Sequence, residues 1–158
     1  MYYPREEKRD FLHTLSTLAL IAILPLAVLA LLSGQGATVT LIAASKVQAQ
    51  ANVTTLTEFP DQGVNLLNYD YSVDGKYFSG TYAQLTKKDA AKYRPGDTLA
   101  IVHSAFFPSV DLPEASYAAG QTDGRMFTGC VGGSLLLLGV SFFALVRQRK
   151  HAAEDAYY

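Results

Sequence analysis

The chain has 158 residues, a net charge of −1, one cysteine and three histidines. Lysine and arginine are not in excess over aspartate and glutamate, which excludes the classes of nucleic-acid-binding protein that depend on phosphate contacts. A single cysteine, Cys130, excludes an intrachain disulfide. The length suits about one domain, but two long uncharged stretches indicate that part of the chain lies outside a soluble core.

The first uncharged stretch runs from Phe11 to Ser45, and most of Leu15–Leu32 is aliphatic. About 20 helical residues cross a hydrocarbon layer of roughly 30 Å. We therefore predict a transmembrane helix over residues 11–33, after a charged lead at residues 1–10. The apolar region is longer than that of a secretory signal peptide, and no small-residue cleavage site follows it closely, so the pattern favours an uncleaved anchor.

The second uncharged stretch, Met126–Val146, lies between Arg125 and Arg147. Its length predicts a second transmembrane helix over residues 126–146, followed by a tail at residues 147–158. Cations flank the outer ends of the two spans: Arg5, Lys8, Arg9, Arg147, Arg149 and Lys150. The positive-inside rule therefore places both termini in the cytoplasm and residues 34–125 outside it.

A β-hairpin is predicted between residues 64 and 85, with Asp74-Gly75 as a two-residue type I′ turn. Such a turn sets the register, with Tyr71 opposite Phe78 and Tyr69 opposite Gly80. One face of the hairpin is aromatic and aliphatic, and the other is polar. A slip of one residue would bury the polar set, so the register is well specified.

Residues 47–54 alternate between apolar and polar side chains, which predicts a half-buried strand. Residues 98–102 form an apolar run typical of a strand buried on both faces. A loop is expected at residues 58–63, a short helix at Thr86–Tyr93, a turn at residues 95–97, and an extended or irregular return over residues 110–120. Residues 37–45 fit either a β-strand or an extension of the first helix.

These elements predict an α+β membrane protein. Two transmembrane helices would flank a small all-β extracytoplasmic domain of four or five strands, similar to a barrel or a meander. About 90 residues is small for independent stability, so contact with lipid or a partner is expected to support the domain.

Two segments of the predicted domain carry a family pattern: Y-S-V-D-G-K-Y-F-S-G at Tyr71–Gly80 and Y-R-P-G-D-T-L-A-I-V at Tyr93–Val102. Together they resemble the DUF3592 family of bacterial membrane proteins, and the resemblance covers residues 45–112. It implies a small β-domain between two spans of a bacterial inner membrane. The family has no established activity, so the resemblance implies no catalytic residues. The chain departs from the pattern at His103–Pro108, where the family has a tyrosine followed by two prolines.

No catalytic, cofactor or metal site is predicted. The predicted topology separates His103 from the other two histidines, and there is no cysteine pair for zinc. The chain also lacks a phosphate-binding loop and a nucleophile elbow. His103-Ser104 near Asp97 could be read as a triad, but adjacent strand residues point to opposite faces, which favours an ordinary strand end.

Two features remain as candidates for contacts. Gly129, Gly132, Gly133 and Gly139 form a small-residue stripe suited to helix packing, with the first span as the expected neighbour; the alternative is that glycine is simply frequent in membrane helices. Phe106-Phe107 either caps the domain core, enters the bilayer interface or contacts a partner protein.

The absence of a catalytic constellation favours a non-enzymatic role. We expect an accessory, scaffold or assembly subunit of a bacterial inner-membrane complex, with the lipid bilayer and other membrane subunits as partners. The alternative is a membrane-anchored module that senses a small ligand or an envelope component. That alternative predicts a concave pocket lined by the aromatic residues of the outer domain.

Overall fold

The computed structural model describes residues 4–59, 64–85 and 92–155. Its helices are α1 (Pro4–Leu32), α2 (Gly36–Ala44), α3 (Glu114–Ala119) and α4 (Gln121–Asp155). Its strands are β1 (Lys46–Phe59), β2 (Val64–Val73), β3 (Lys76–Leu85), β4 (Thr98–Ser104) and β5 (Asp111–Pro113). The chain divides into a helical unit, Met1–Gly34 with Arg125–Tyr158, and a β unit, Gln35–Gly124.

In the helical unit, α1 and α4 are antiparallel neighbours that meet through small side chains. The hydroxyls of Ser16 and Ser141 form a buried hydrogen bond of 2.9 Å. Ala19 and Ala144, three residues further along each helix and on the same faces, are also buried. Both helices are long and apolar enough to cross a membrane, and they extend beyond the predicted spans into the charged flanks.

In the β unit, the five strands form an antiparallel half-barrel in the order β3-β2-β1-β4-β5. This confirms the prediction of a small domain with four or five strands, but the prediction that the domain is all-β is wrong, because α2 and α3 pack against the sheet. The β2–β3 hairpin has the predicted bounds and register, with Tyr69 opposite Gly80 and Tyr71 opposite Phe78. Asp74 and Gly75 both have positive φ, 51° and 77°, as a type I′ turn requires.

Strand β1 confirms the predicted alternation but continues further than expected. Glu58 and Phe59 were predicted to lie in a loop, which is wrong, because they pair with Asn65 and Val64 of β2. The rest of that predicted loop, residues 60–63, lies outside the described residues.

Two apolar clusters lie on opposite faces of the sheet. The inner core fills the concave face of the half-barrel and contains Ala51, Val53, Leu67, Tyr69, Tyr71, Leu99 and Ile101. The outer core joins α2 and α3 to β4 and β5 and contains Val39, Ile42, Val102, Leu112 and Tyr117. Strand β4 is therefore covered on both faces from Ile101 to Ser104, whereas Thr98 and Ala100 are exposed.

Packing in the outer core also determines the conformation of segments for which the sequence allowed more than one structure. Residues 37–45 form a separate helix for most of their length, because Val39 and Ile42 pack against β4. The expectation of an irregular return over residues 110–120 is wrong at Glu114–Ala119, which is helical and buries Tyr117. The predicted helix at Thr86–Tyr93 lies mostly outside the described residues, and the turn before β4 is confirmed by Gly96, with φ 94°.

Candidate functional site

A polar cluster lies within the inner face of the half-barrel, where β2, β4 and β5 come together. Its members are Tyr69, Tyr71, His103 and Asp111. His103 and Asp111 are register partners across β4 and β5. The hydroxyl of Tyr69 donates a hydrogen bond to Oδ2 of Asp111 at 2.5 Å, and the hydroxyl of Tyr71 donates one to the carbonyl oxygen of Pro108 at 2.5 Å.

Alternation along β2 explains why both phenols reach this cluster. Tyr69 and Tyr71 are two residues apart, so their side chains lie on the same face of the sheet. The ring of Tyr71 stacks against the rings of Phe78 and His103, with centroid separations of 5.6 and 6.1 Å. These contacts orient the phenol towards the loop between β4 and β5.

Gly80 provides the space that the cluster needs. It lies opposite Tyr69 in the β2–β3 register. A Cβ atom at this position would overlap the Tyr69 ring and Oδ2 of Asp111. A side chain at residue 80 would therefore displace the Tyr69–Asp111 pair.

The electrostatics of the cluster favour the protonated form of each acid. Burial raises the pKa of Asp111, and the hydrogen bond from Tyr69, together with the nearby Tyr71 and His103, only partly offsets this effect. Burial, followed by the neighbouring Asp111, raises the pKa of both Tyr69 and Tyr71. The phenols therefore stay protonated as hydrogen-bond donors near neutral pH, and Asp111 is the group of the three whose charge responds to acid.

The residues considered as a triad have separate partners. Oδ2 of Asp97 accepts a hydrogen bond from the backbone N–H of Arg94 within the turn before β4. The Ser104 hydroxyl lies 2.9 Å from that of Ser45, at the end of α2. Nδ1 of His103 lies 3.1 Å from the carbonyl oxygen of Ser104, and its ring belongs to the inner cluster.

Phe106 and Phe107 are displayed on the loop between β4 and β5. Their side chains are 73% and 56% exposed, so the interpretation that they cap the domain core is wrong. The loop is nonetheless braced. The N–H of Ala105 donates to the carbonyl of Ser45 at 2.8 Å, and the N–H of Phe107 donates to the Ser104 hydroxyl at 3.3 Å.

An open groove of about 440 Å³ lies between the N-terminal part of β4 and α3. Its lining is mostly small and apolar, and consists of Tyr93, Thr98, Leu99, Ala100, Pro113, Glu114, Ala115 and Ala118. Among the lining residues that the structure describes, Glu114 is the one acidic side chain, and its carboxylate accepts a hydrogen bond from Gln48 at 2.8 Å. The groove therefore suits a small, largely apolar group.

No family model, curated protein or solved structure matches this chain. The resemblance to the DUF3592 family therefore stays a prediction that depends on the two segments quoted above. Within the described residues, no group of three or more His, Cys, Asp or Glu side chains is placed to bind a metal ion.

The glycines of the second predicted span divide into two sets. A Cβ at Gly133 would lie 3.4 Å from Leu26 of α1. At Gly129, Gly132 and Gly139, a Cβ would meet no atom of another described segment within 4 Å. Contact with α1 thus involves Gly133, whereas packing by the other three stays a prediction that requires a different neighbour.

Sequence reasoning missed Asp111. The candidate triad instead contained Asp97, which lies in the turn before β4. Asp111 is the first acidic residue after an uncharged stretch of β4 and its loop, residues 98–110. Two features of the sequence point to a carboxylate on the aromatic face: the uncharged stretch before Asp111, and the glycine opposite Tyr69 that leaves space for it.

Proposed function

We propose that this protein is a non-enzymatic accessory or assembly subunit of a bacterial inner-membrane complex. The observation on which the proposal depends is the Phe106-Phe107 pair, exposed on a loop that backbone hydrogen bonds brace. Aromatic side chains, phenylalanine among them, are enriched in the buried centre of protein–protein interfaces. Ordering the loop beforehand reduces the entropy lost when a partner binds.

Membrane insertion is supported by the surface of the helical unit. Only 11% of the apolar stretch of α1 and 17% of that of α4 is buried, whereas a core helix of a soluble protein would be mostly buried. Large aliphatic and aromatic side chains therefore face outward along both helices, which is unfavourable in water and favourable in lipid. Because α1 and α4 are antiparallel, the start of α1 and the end of α4 lie at the same end of the helical pair. Together with the flanking cations, this supports a topology in which both chain termini are cytoplasmic and the β unit is extracytoplasmic.

The open glycines of α4 support an additional neighbour within the membrane. Gly129 and Gly132 lie three residues apart and Gly139 two turns further on, so they share part of one helix surface. Small residues let helix backbones approach closely in lipid. A helix from another subunit could pack there without displacing α1, which uses Ser141 and Ala144 instead.

Purification in a mild detergent tests this function. The wild-type chain should elute in a stoichiometric complex, with a mass above that of the monomer when measured by light scattering. Replacing both Phe106 and Phe107 by alanine should remove the partner, because the exposed aromatic anchor is lost. Tyr77→Ala is the matched control, since Tyr77 is an 88% exposed aromatic on the far face of the hairpin. A wild-type chain that elutes only as a monomer would contradict the proposal.

The groove between β4 and α3 favours a second candidate, a module that binds a small ligand or an envelope component. Its volume lies within the range of small-molecule sites, although Tyr93 is the only aromatic residue among the described residues that line it. Thermal-shift screening with lipids and cell-wall fragments would test it. A ligand of the groove should raise the melting temperature of wild type and have no effect on Ala118→Trp, which fills the groove.

A further inference from the structure

The Phe106-Phe107 pair belongs to a segment with little strand pairing of its own. We call residues 105–113 the arm, which comprises the loop after β4 and strand β5. Strand β5 has 3 residues and pairs with β4 only from Ile101 to His103. By contrast, β1 pairs with β4 along the whole length from Lys46 to Asn52. The arm therefore depends on side-chain contacts more than the rest of the sheet does.

Two phenols of β2 fasten the arm from the inner face. Tyr69 donates to the Asp111 carboxylate at one end of the arm, and Tyr71 donates to the Pro108 carbonyl next to the phenylalanine pair. Tyr69 is 1% exposed and Tyr71 is 3% exposed, whereas Pro108 and Asp111 are half-buried, so both bonds are partly shielded from water. Loss of either bond would free part of the arm from β2.

The groups facing Asp111 come from every strand packed against it. Strand β2 provides Tyr69 and Tyr71, and β4 provides His103. Strand β3 provides the backbone of Gly80, while Tyr82 of the same strand acts on Tyr69. Within the described part of the chain, the groups that act on this carboxylate therefore include neither lysine nor arginine. A half-buried carboxylate without such a cation is unfavourable when ionised, and opening the arm would return it fully to water.

We propose that the arm is a proton-dependent latch, in which Asp111 takes up a proton as the arm closes over the inner face of the half-barrel. Acid then favours the closed arm, with Phe106 and Phe107 in their braced position, and higher pH favours release. This consequence for partner binding rests on the proposed function, whereas the latch itself does not.

Proton linkage determines whether the arm opens more at low pH or at high pH. In the open arm, Asp111 is solvated and titrates near its ordinary value of 3.8. In the closed arm, burial raises its pKa, so the closed state binds more protons than the open state between the two values. The opening equilibrium should rise by up to about tenfold per pH unit within that window and level off above it.

Hydrogen–deuterium exchange of the full chain in detergent, between pH 4 and 8, measures this opening. After correction for intrinsic exchange rates, protection of residues 105–113 should fall as the pH rises and then level off. Protection of β1 should stay well above that of the arm at every pH, which separates arm release from global unfolding. Asp111→Asn should give a flat arm profile, and Asp70→Asn, which changes an exposed carboxylate of β2, should retain the wild-type profile.

A wild-type arm whose protection does not change with pH would overturn the latch, as would an Asp111→Asn variant that keeps the wild-type slope. If Asp111→Asn does not fold, Tyr69→Phe replaces it. That variant keeps the carboxylate, so it should lower arm protection at every pH and keep the slope; a flat profile would count against the latch. The exchange experiment contains no partner protein, so its result does not depend on whether the proposed function is correct.

Discussion

The hydroxyl of Tyr69 donates a hydrogen bond to Asp111 across a sequence separation of 42 residues. It connects β2 to β5, which lie on either side of the β1–β4 pair in the sheet. The bond passes beside Gly80, the residue of β3 that has no side chain to obstruct it. This polar contact therefore helps to curl the sheet into a half-barrel, in addition to its backbone pairing.

The first prediction concerns the space beside that bond. Gly80→Ala should lower the free energy of unfolding by about 1–3 kcal/mol, because the added methyl group overlaps the Tyr69 ring and the Asp111 carboxylate. Chemical denaturation of the full chain in detergent, followed by tyrosine fluorescence, measures the change. Ser79→Ala, at the exposed neighbouring position, should be close to neutral. Equal stability of the two variants would show that Gly80 is not needed for close approach.

The second prediction concerns the phenol itself. Tyr69→Phe should lower the free energy of unfolding by about 1–3 kcal/mol, because the half-buried carboxylate of Asp111 loses its donor while the aromatic ring is retained. Tyr77→Phe removes a hydroxyl from an 88% exposed side chain and should change stability little. Thermal unfolding of the two variants side by side gives the comparison. A melting temperature for Tyr69→Phe equal to that of Tyr77→Phe would contradict the prediction.

The third prediction is the pH dependence of global stability. The pKa of Asp111 is raised in the folded protein, so its contribution is fully present below the ordinary value of 3.8 and is lost as the pH rises through the raised value. Stability of wild type relative to Asp111→Asn should therefore fall with increasing pH. Urea unfolding of both proteins between pH 4 and 8 measures the difference. A relative stability that increases with pH would reverse the assigned sign.

The fourth prediction concerns topology. In a Cys130→Ser background, a cysteine introduced at Tyr77 should react with a membrane-impermeant maleimide added outside spheroplasts, because the exposed hairpin face is expected to be extracytoplasmic. A cysteine introduced at Arg149 should react only after the membrane is permeabilised. The reverse labelling pattern would overturn the orientation assigned from the flanking cations.

The sequence predicted local features whose cause lies within a few residues. Asp74-Gly75 set the hairpin turn, and that turn fixed which side chains of β2 and β3 face each other. The alternation over residues 47–54 predicted β1, and the two apolar stretches predicted the long helices. These features depend on backbone conformation, on the period-2 geometry of a strand and on the length of an apolar helix, and all three can be read along the chain.

Tertiary structure decided what depends on distant partners. Residues 37–45 had no clear local preference, and packing of Val39 and Ile42 on β4 selected the helix. Glu114–Ala119 became helical with Tyr117 in the outer core, and Phe106-Phe107 was left exposed. Asp111 joined the cluster because sheet curvature brings β5 to Tyr69. The sequence alone determined the hairpin with its turn, most of β1 and β4, and the apolar helices. The polar cluster required the fold, because its hydrogen bonds connect residues far apart in the chain.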